Sequence, residues 1–390
     1  MTNLPQGWEV KKLGDIAEIQ IGKTPSRNNI DFFQGENIWL SIRDLKSKFV
    51  SSSSEKISNE AISKTNMKVV PKGTLLMSFK LTLGKTAFAE CDLYTNEAIA
   101  AIFIKNKNIN KYFLDYVLKF TDLEKYVDNA VKGKTLNKQK LKQIEMLLPK
   151  NIKEQERIVG ILDESFAKID ESIKILEQNL LNLDELMQSA LRKAFNPLND
   201  DTKENYQLPQ SWEWKSLEEI SENISAGGDK PKNCTESKTA KNQIPVYANG
   251  VNNNGLVGYT DKATIIKPSL TISARGTIGF VCIRKEPYFP IVRLISLIPC
   301  ENILCLHYLY FCLNFFIAKG EGSSIPQLTI PKFKSLQIPL PPLKEQEQIA
   351  KHLDFVFEKT KALKELYTKE LKDYEELKQS LLNKAFKGEL

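Results

Sequence analysis

Histidine is nearly absent: two in 390 residues. His307 sits in an apolar stretch and His352 in a charged, periodic one. Neither has a nucleophile or ligand cluster near it in sequence, which argues against a histidine-based triad or metal centre. The six cysteines contain no CxxC pair, the pattern of reduced thiols in a cytoplasm. Cys305 and Cys312 read as core. Long apolar runs are missing too. The longest, ILCLHYLYFCLNFFIA at Ile303–Ala318, falls short of the ~20 residues of a membrane span and is broken by His307 and Asn314. It reads as a helix buried against a sheet. The opening MTNLPQGWEV lacks the basic and apolar regions of a secretory signal, so a cytoplasmic chain with no membrane partner is expected. Gly-Lys-Thr occurs at Gly22, Gly84 and Gly133, but Ala17, Phe79 and Asp128 stand where a phosphate loop needs its first glycine. No GxGxxG follows a strand. The Pro-Pro at Pro341-Pro342 lacks the Asn/Asp-Pro-Pro-aromatic setting of an amino-methyltransferase. No metal, cofactor or catalytic set is expected in this chain.

What is present suits two to three domains: 42% hydrophobic and 26% charged residues. The net charge of +7 is unevenly spread. Residues 1–150 carry 24 Lys/Arg against 16 Asp/Glu, residues 151–197 carry 6 against 9, residues 198–341 carry 15 against 13, and residues 342–390 carry 10 against 10. The basic excess lies in the first and third segments, which fits contact with a polyanion or a solvated basic surface.

The chain is written twice. LPQGWE at residues 4–9 returns as LPQSWE at residues 208–213, and IKEQERI at residues 152–158 returns as LKEQEQI at residues 343–349. Between these marks the offset shrinks stepwise, so insertions and deletions fall inside the globular parts. From KEQ onward no gap is needed to the end. The repeated unit is one domain plus one helix, with the helix held to constant length. The expected domains are residues 1–150, a spacer helix at 151–197, residues 198–341 and a second spacer helix at 342–390.

In the first periodic segment Leu162, Phe166, Ile169, Ile173, Leu176, Leu180, Leu183, Met187, Ala190 and Ala194 recur at alternating steps of four and three, a coiled-coil seam. The second reads Ile349, Leu353, Val356, Thr360, Leu363, Tyr367, Glu370, Tyr374, Leu377 and Leu381, with polar breaks at Thr360 and Glu370. Antiparallel pairing of the two copies within one chain is expected, giving a pseudo-two-fold repeat. Packing of each helix on its own domain, or dimerisation through the seams, are the alternatives. Each globular half reads as an α/β domain with a mixed or mainly antiparallel sheet: strands near Ile38–Ile42, Thr74–Ser78 and Ala98–Ile104, and again near Leu270–Ser273, Gly279–Ile283 and Leu294–Ile298. Helices follow at Asn110–Asp128 and Ile303–Ala318.

The loops between strands are rich in Lys, Arg, Asn, Ser and Thr, side chains that read base edges or hold phosphates. In the first half these are Lys23, Thr24, Ser26, Arg27, Arg43, Lys80, Thr82, Lys85, Lys132 and Lys134. In the second they are Lys230, Lys232, Asn249, Asn252, Asn253, Arg275, Thr277, Ser323, Ser324 and Gln327. One such loop is commonly a solvated turn. Several in two repeated domains, on a chain without catalytic motifs, favour double-stranded DNA as partner. An enzyme with an unrecognised site and a coiled-coil scaffold without a DNA role stay open.

The order LPxxW, GKTPSR with Ile38-Trp39-Leu40-Ser41-Ile42-Arg43-Asp44-Leu45, IPLPPLKEQ at residues 338–346 and the closing AFKGEL resembles the DNA-specificity subunit of type I restriction–modification systems over the whole chain. The resemblance implies two target-recognition domains, each reading half of a split site, with the helix pair as a ruler. It also implies two modification subunits that hold S-adenosylmethionine and methylate adenine. Motor-nuclease subunits using ATP and Mg would cut foreign DNA. Pro290-Ile291-Val292-Arg293 departs from the Thr95-Asn96-Glu97-Ala98 pattern of the first half.

Overall fold

The computed structural model describes residues 5–127, 136–196, 198, 207–317 and 328–390. Lys132, Lys134, Ser323, Ser324 and Gln327 lie outside them. Two compact units emerge, Met1–Ile175 with Glu370–Leu390, and Leu176–Lys369. Each therefore holds one globular half, the start of one long helix and the end of the other.

In both units the tryptophan turn opens a strand that closes on the strand just before the long helix. The Trp8 N–H donates to the Pro5 carbonyl (3.1 Å) and the Trp212 N–H to the Pro209 carbonyl (2.9 Å). Trp8–Lys12 then pairs antiparallel with Glu145–Pro149, and Glu213–Ser216 with Gln337–Leu340. The main sheet of the first unit runs Ala17–Ile21, Ile99–Ile104, Leu75–Ser78, Thr86–Ala89 and Phe49–Val50 in spatial order. The last pair is parallel and the others antiparallel. Its central strands are buried end to end because both faces are covered. Leu75 and Met77 face a core shared with the helix Lys111–Phe120, whereas Leu76 joins Ala87 and Ala101 on the opposite face.

The second unit repeats this with Ser221–Ala226, Ile295–Pro299, Ser269–Ile272 and Val281–Arg284. Leu270 and Ile272 pack toward the helix Leu306–Phe316. The residues between and beside them are polar instead. Ser269 and the Tyr288 phenol are 2.9 Å apart, and Arg284 Nε donates to Thr271 Oγ1 at 3.0 Å.

The long helices are Ile152–Phe195 (44 residues) and Leu343–Lys387 (45 residues). At ~1.5 Å per residue each is roughly 66 Å long. Asn151 Oδ1 accepts from the Lys153 N–H (3.0 Å) at the first start, and Gly388, at φ +72°, ends the second. The repeated KEQ has a specific task. Gln155 is fully buried; its Oε1 accepts from the Asn110 N–H (2.8 Å), and its Nε2 donates to the carbonyls of Asn108 (3.1 Å) and Pro149 (2.9 Å). Gln346 makes the matching set with the Cys305 N–H (2.9 Å), the Ile303 carbonyl (2.9 Å) and the Pro341 carbonyl (2.8 Å). One glutamine thus ties the spacer start, the strand before it and the domain helix together.

Both units contain antiparallel helix contacts. In the first, Asp170 accepts from Lys378 at 2.6 Å, and Leu162 and Phe166 share a core with Leu381 and Leu382. In the second, Asp184 pairs with Lys364, and Leu191 and Phe195 share a core with Ala350 and Leu353. Two heptads forward from Asp170 is Asp184; two heptads back from Lys378 is Lys364. Along the first helix Leu162, Ile169, Leu176 and Leu183 are buried, and Phe166, Ile173, Leu180 and Met187 are half-buried, as the spacing predicts.

The second seam needs a correction. Leu353 and Thr360 are buried and Val356, Tyr367, Tyr374 and Leu381 half-buried, but Leu363, Glu370 and Leu377 are exposed. The alternate positions are one residue later: Phe357, Lys364, Leu371 and Lys378, then buried Ala385. Spacing favours leucine at these places, but a lysine stem can lie along a seam while its head reaches an aspartate. Lys378→Leu is accordingly expected to raise the thermal midpoint, and Leu377→Lys to change stability by no more than ~0.5 kcal/mol. The reverse ranking in thermal melts would return the seam to Leu377.

Candidate nucleic-acid interface

In the first unit the predicted loop residues divide into anchored and outward groups. Lys23 Nζ donates to the carbonyls of Thr65 (2.9 Å) and Asn66 (3.1 Å), closing the helix Asn59–Thr65. Thr24 bonds to Glu97. The Arg27 guanidinium lies 4.3 Å from the Phe33 ring centre and 5.3 Å from that of Trp39, and bridges to Glu55 through Nη1 and Nη2, the latter at 3.0 Å. Arg43 reaches the same carboxylate at 2.7 Å and Ser41 Oγ at 3.2 Å. Hydrogen bonding from Arg27 holds the Glu55 carboxyl below its ordinary range, against an opposing cost of burial. Its contribution is complete above the unfolded carboxylate's pKa and is lost as pH falls through the lowered folded value. Ser26, Thr82 and Lys85 are exposed, and Lys80 lies with Nζ 5.7 Å from the Phe79 ring centre. Sequence reasoning missed Glu55 and Glu97, whose positions beside the basic loops depend on the sheet.

In the second unit Lys230, Lys232, Asn252, Asn253 and Arg275 are exposed. Two other predicted readers point inward. Asn249 accepts from the Ala274 N–H through Oδ1 (2.8 Å) and donates through Nδ2 to the Val292 carbonyl (2.6 Å), so both ends of its amide are engaged. The Thr277 hydroxyl is buried. Arg284 went unnoticed in sequence and is 8% exposed. It stacks 3.5 Å from the Tyr247 ring centre and donates to the Asn254 carbonyl at 2.5 Å, bracing the turn Asn252–Gly255 in which Asn253 and Asn254 are left-handed. Its counterpart at the end of the equivalent strand is Ala89, which carries no such signal.

Within each unit the sheet edge gathers loops from distant parts of the sequence. Trp39–Leu40 pairs parallel with Tyr94–Thr95, and Val246–Tyr247 with Phe289–Pro290. Each of these short strands runs into a turn, Asn96–Ile99 or Ile291–Leu294, closed by a hydrogen bond of 3.2 or 3.1 Å. The departure seen in the sequence is thus in the same structural place. Beneath each turn is a glycine. A Cβ on Gly22 would lie 2.0 Å from the Thr95 carbonyl oxygen, and one on Gly227 2.6 Å from the Ile291 nitrogen. Among the described residues no group of His, Cys, Asp and Glu could hold a metal ion, and no helix is long and apolar enough to cross a membrane.

Two copies of one mixed α/β domain, each offering cationic and amide-bearing loops and each joined to a heptad helix, define an internally duplicated nucleic-acid-reading protein. The chain belongs to the family of the type I restriction modification DNA specificity domain, which matches twice, at residues 5–181 and 209–373. DNA target recognition by two domains goes with that family. A provisionally named type I specificity subunit of Mycoplasma pneumoniae is 31% identical over 253 residues, 64% of this chain and 65% of that protein. The type I restriction enzyme MjaIX specificity subunit of Methanocaldococcus jannaschii is 24% identical over 377 residues, 87% of this chain and 84% of that one. Among solved structures, a chain from work on assembly and conformational transition of the type I R-M system superposes with a TM-score of 0.81 at 18% identity, covering all of both chains. The HsdS subunit from Thermoanaerobacter tengcongensis gives 0.61 at 20%, covering 100% of this chain and 98% of that one. These two likenesses bear on fold.

Proposed function

We propose that each unit reads one half of an asymmetric, bipartite duplex site, and that the two helices set the distance between the halves. The observation that carries this is the duplicated domain with two different outward loop sets: Ser26, Arg27 and Arg43 in one, Lys230, Asn252, Asn253 and Arg275 in the other. Different side chains at equivalent places select different bases. Constant helix length across the repeat supports the spacing role.

The chain's own part is recognition, and the chemistry belongs to partners. Two modification subunits would hold S-adenosylmethionine and methylate adenine; motor-nuclease subunits would use ATP and Mg. Apolar side chains outside the seam support docking along the helices: Ile175, Leu181 and Leu186 on one, Phe355, Leu363, Leu366 and Leu377 on the other, all exposed. Surface of this kind on a helix pair suits partner helices. The site of action is the cytoplasm.

Mapping methylated bases in host DNA, with and without this chain, tests the proposal. One bipartite, asymmetric motif that vanishes with the chain is expected. Methylation by the purified chain and S-adenosylmethionine alone, or an unchanged methylation map, would overturn it.

A further inference from the structure

The two units differ most sharply at the turn after their short parallel strands. In the first, the Phe79 N–H donates to the Ala98 carbonyl at 3.0 Å, so the turn itself holds the neighbouring loop. Glu97 is occupied by Thr24. In the second, Val292 and Arg293 have φ of +53° and +57°. A β-branched residue in the left-handed region is a strained arrangement that persists only where its surroundings impose it.

Those surroundings are visible. The Val292 N–H donates to the Gly228 carbonyl and the Arg293 N–H to the Gly227 carbonyl, both at 2.8 Å. Asn249 grips the Val292 carbonyl and at the same time supplies the acceptor for the Ala274 N–H, the role that the Ala98 carbonyl plays for Phe79 in the first unit. One side-chain amide therefore ties together three segments: the asparagine-rich loop, the loop carrying Arg275 and the strained turn. Val292 is 51% exposed, and the Arg293 side chain is exposed with no hydrogen bond or ion pair among the described residues.

We propose that Arg293 is a specificity-determining residue of the second domain, its guanidinium reading a base edge of duplex DNA, with Asn249 as the positioning residue that holds the turn. The proposal rests on the reading of this chain as a DNA-specificity subunit. Arginine suits the task because its fork matches the paired acceptors of guanine in the major groove, and losing such a pair lowers discrimination by roughly ten- to a hundredfold. Glycine would take this backbone without strain; valine and arginine are held in it by the Gly227 and Gly228 carbonyls and by Asn249.

The test uses the full chain assembled with its modification subunits. Binding to duplexes altered base by base in each half-site is measured for the unaltered chain and for Arg293→Ala, Asn249→Ala and Val292→Gly. Arg293→Ala is expected to lose discrimination at one position of the second half-site by roughly tenfold or more, with the first half-site read as before. Asn249→Ala should blur the same position while Arg293 is still present. Val292→Gly, which accepts the same backbone, should retain the preference. Unchanged discrimination with Arg293→Ala would overturn the proposal, as would a loss equal for all sequences with a salt dependence lowered by about one phosphate contact. If the unaltered complex shows no sequence preference, the DNA-specificity reading itself fails.

Discussion

Inserting seven residues at matched points of both helices, after Ile175 and after Lys369, is expected to lengthen the gap between the two methylated half-sites by about three base pairs. One heptad adds ~10.5 Å of helix, and duplex DNA rises ~3.4 Å per base pair. The boundary between the units crosses both helices at these points. The insertion leaves the Asp170–Lys378 and Asp184–Lys364 pairs within their own units and keeps the heptad phase on both strands of the seam. Bases read within each half should not change, since no loop is altered. Insertion into one helix alone should instead destroy activity, because it puts aspartate opposite the wrong turn. The readout is the methylated motif in cells carrying the altered chain. An unchanged gap with full methylation would remove the helices from any role in spacing.

The second large effect concerns the buried glutamines. Gln155→Leu keeps the volume but deletes three hydrogen bonds, leaving the Asn110 N–H and the carbonyls of Asn108 and Pro149 without partners. An unmet buried polar group costs about 1–3 kcal/mol, so a loss of roughly 3–5 kcal/mol is expected. Gln346→Leu should act alike in the second unit, through Cys305, Ile303 and Pro341. Because there are two units, the transitions are best followed by urea unfolding with hydrogen exchange, which separates them. In each variant the damaged unit should open first. A shift below ~1 kcal/mol would show that the glutamine merely starts a helix and that other groups join the domain to it. Glu154 and Arg157 are expected to matter less, being a partly exposed i,i+3 pair.

These residues show how far a sequence can be read. The duplication is legible because the repeated motifs keep their order throughout and, from KEQ onward, their spacing. The first seam was legible because its apolar residues obey a heptad. The second is legible only at every other position, since Leu363 and Leu377 look more like core than Lys364 and Lys378 do. Strand positions came close because buried runs such as Leu75–Ser78 and Ile295–Pro299 carry their own signal. The candidate interface was harder. Loop composition pointed to the right segments but could not tell Asn249, whose amide is fully engaged within the fold, from exposed Asn252 and Asn253.

By itself the sequence determined that one domain-and-helix unit is used twice, where each long helix begins, and which family the chain belongs to. Those properties reside in local periodicity and repeated order. Only the tertiary structure decided that a lysine rather than a leucine lines the second seam, that KEQ works through its glutamine, and that Arg293 stands on a strained turn held from Asn249. Each of those depends on partners from other elements, brought within hydrogen-bonding distance by the packing of helices and sheet, and no local pattern encodes such a distance.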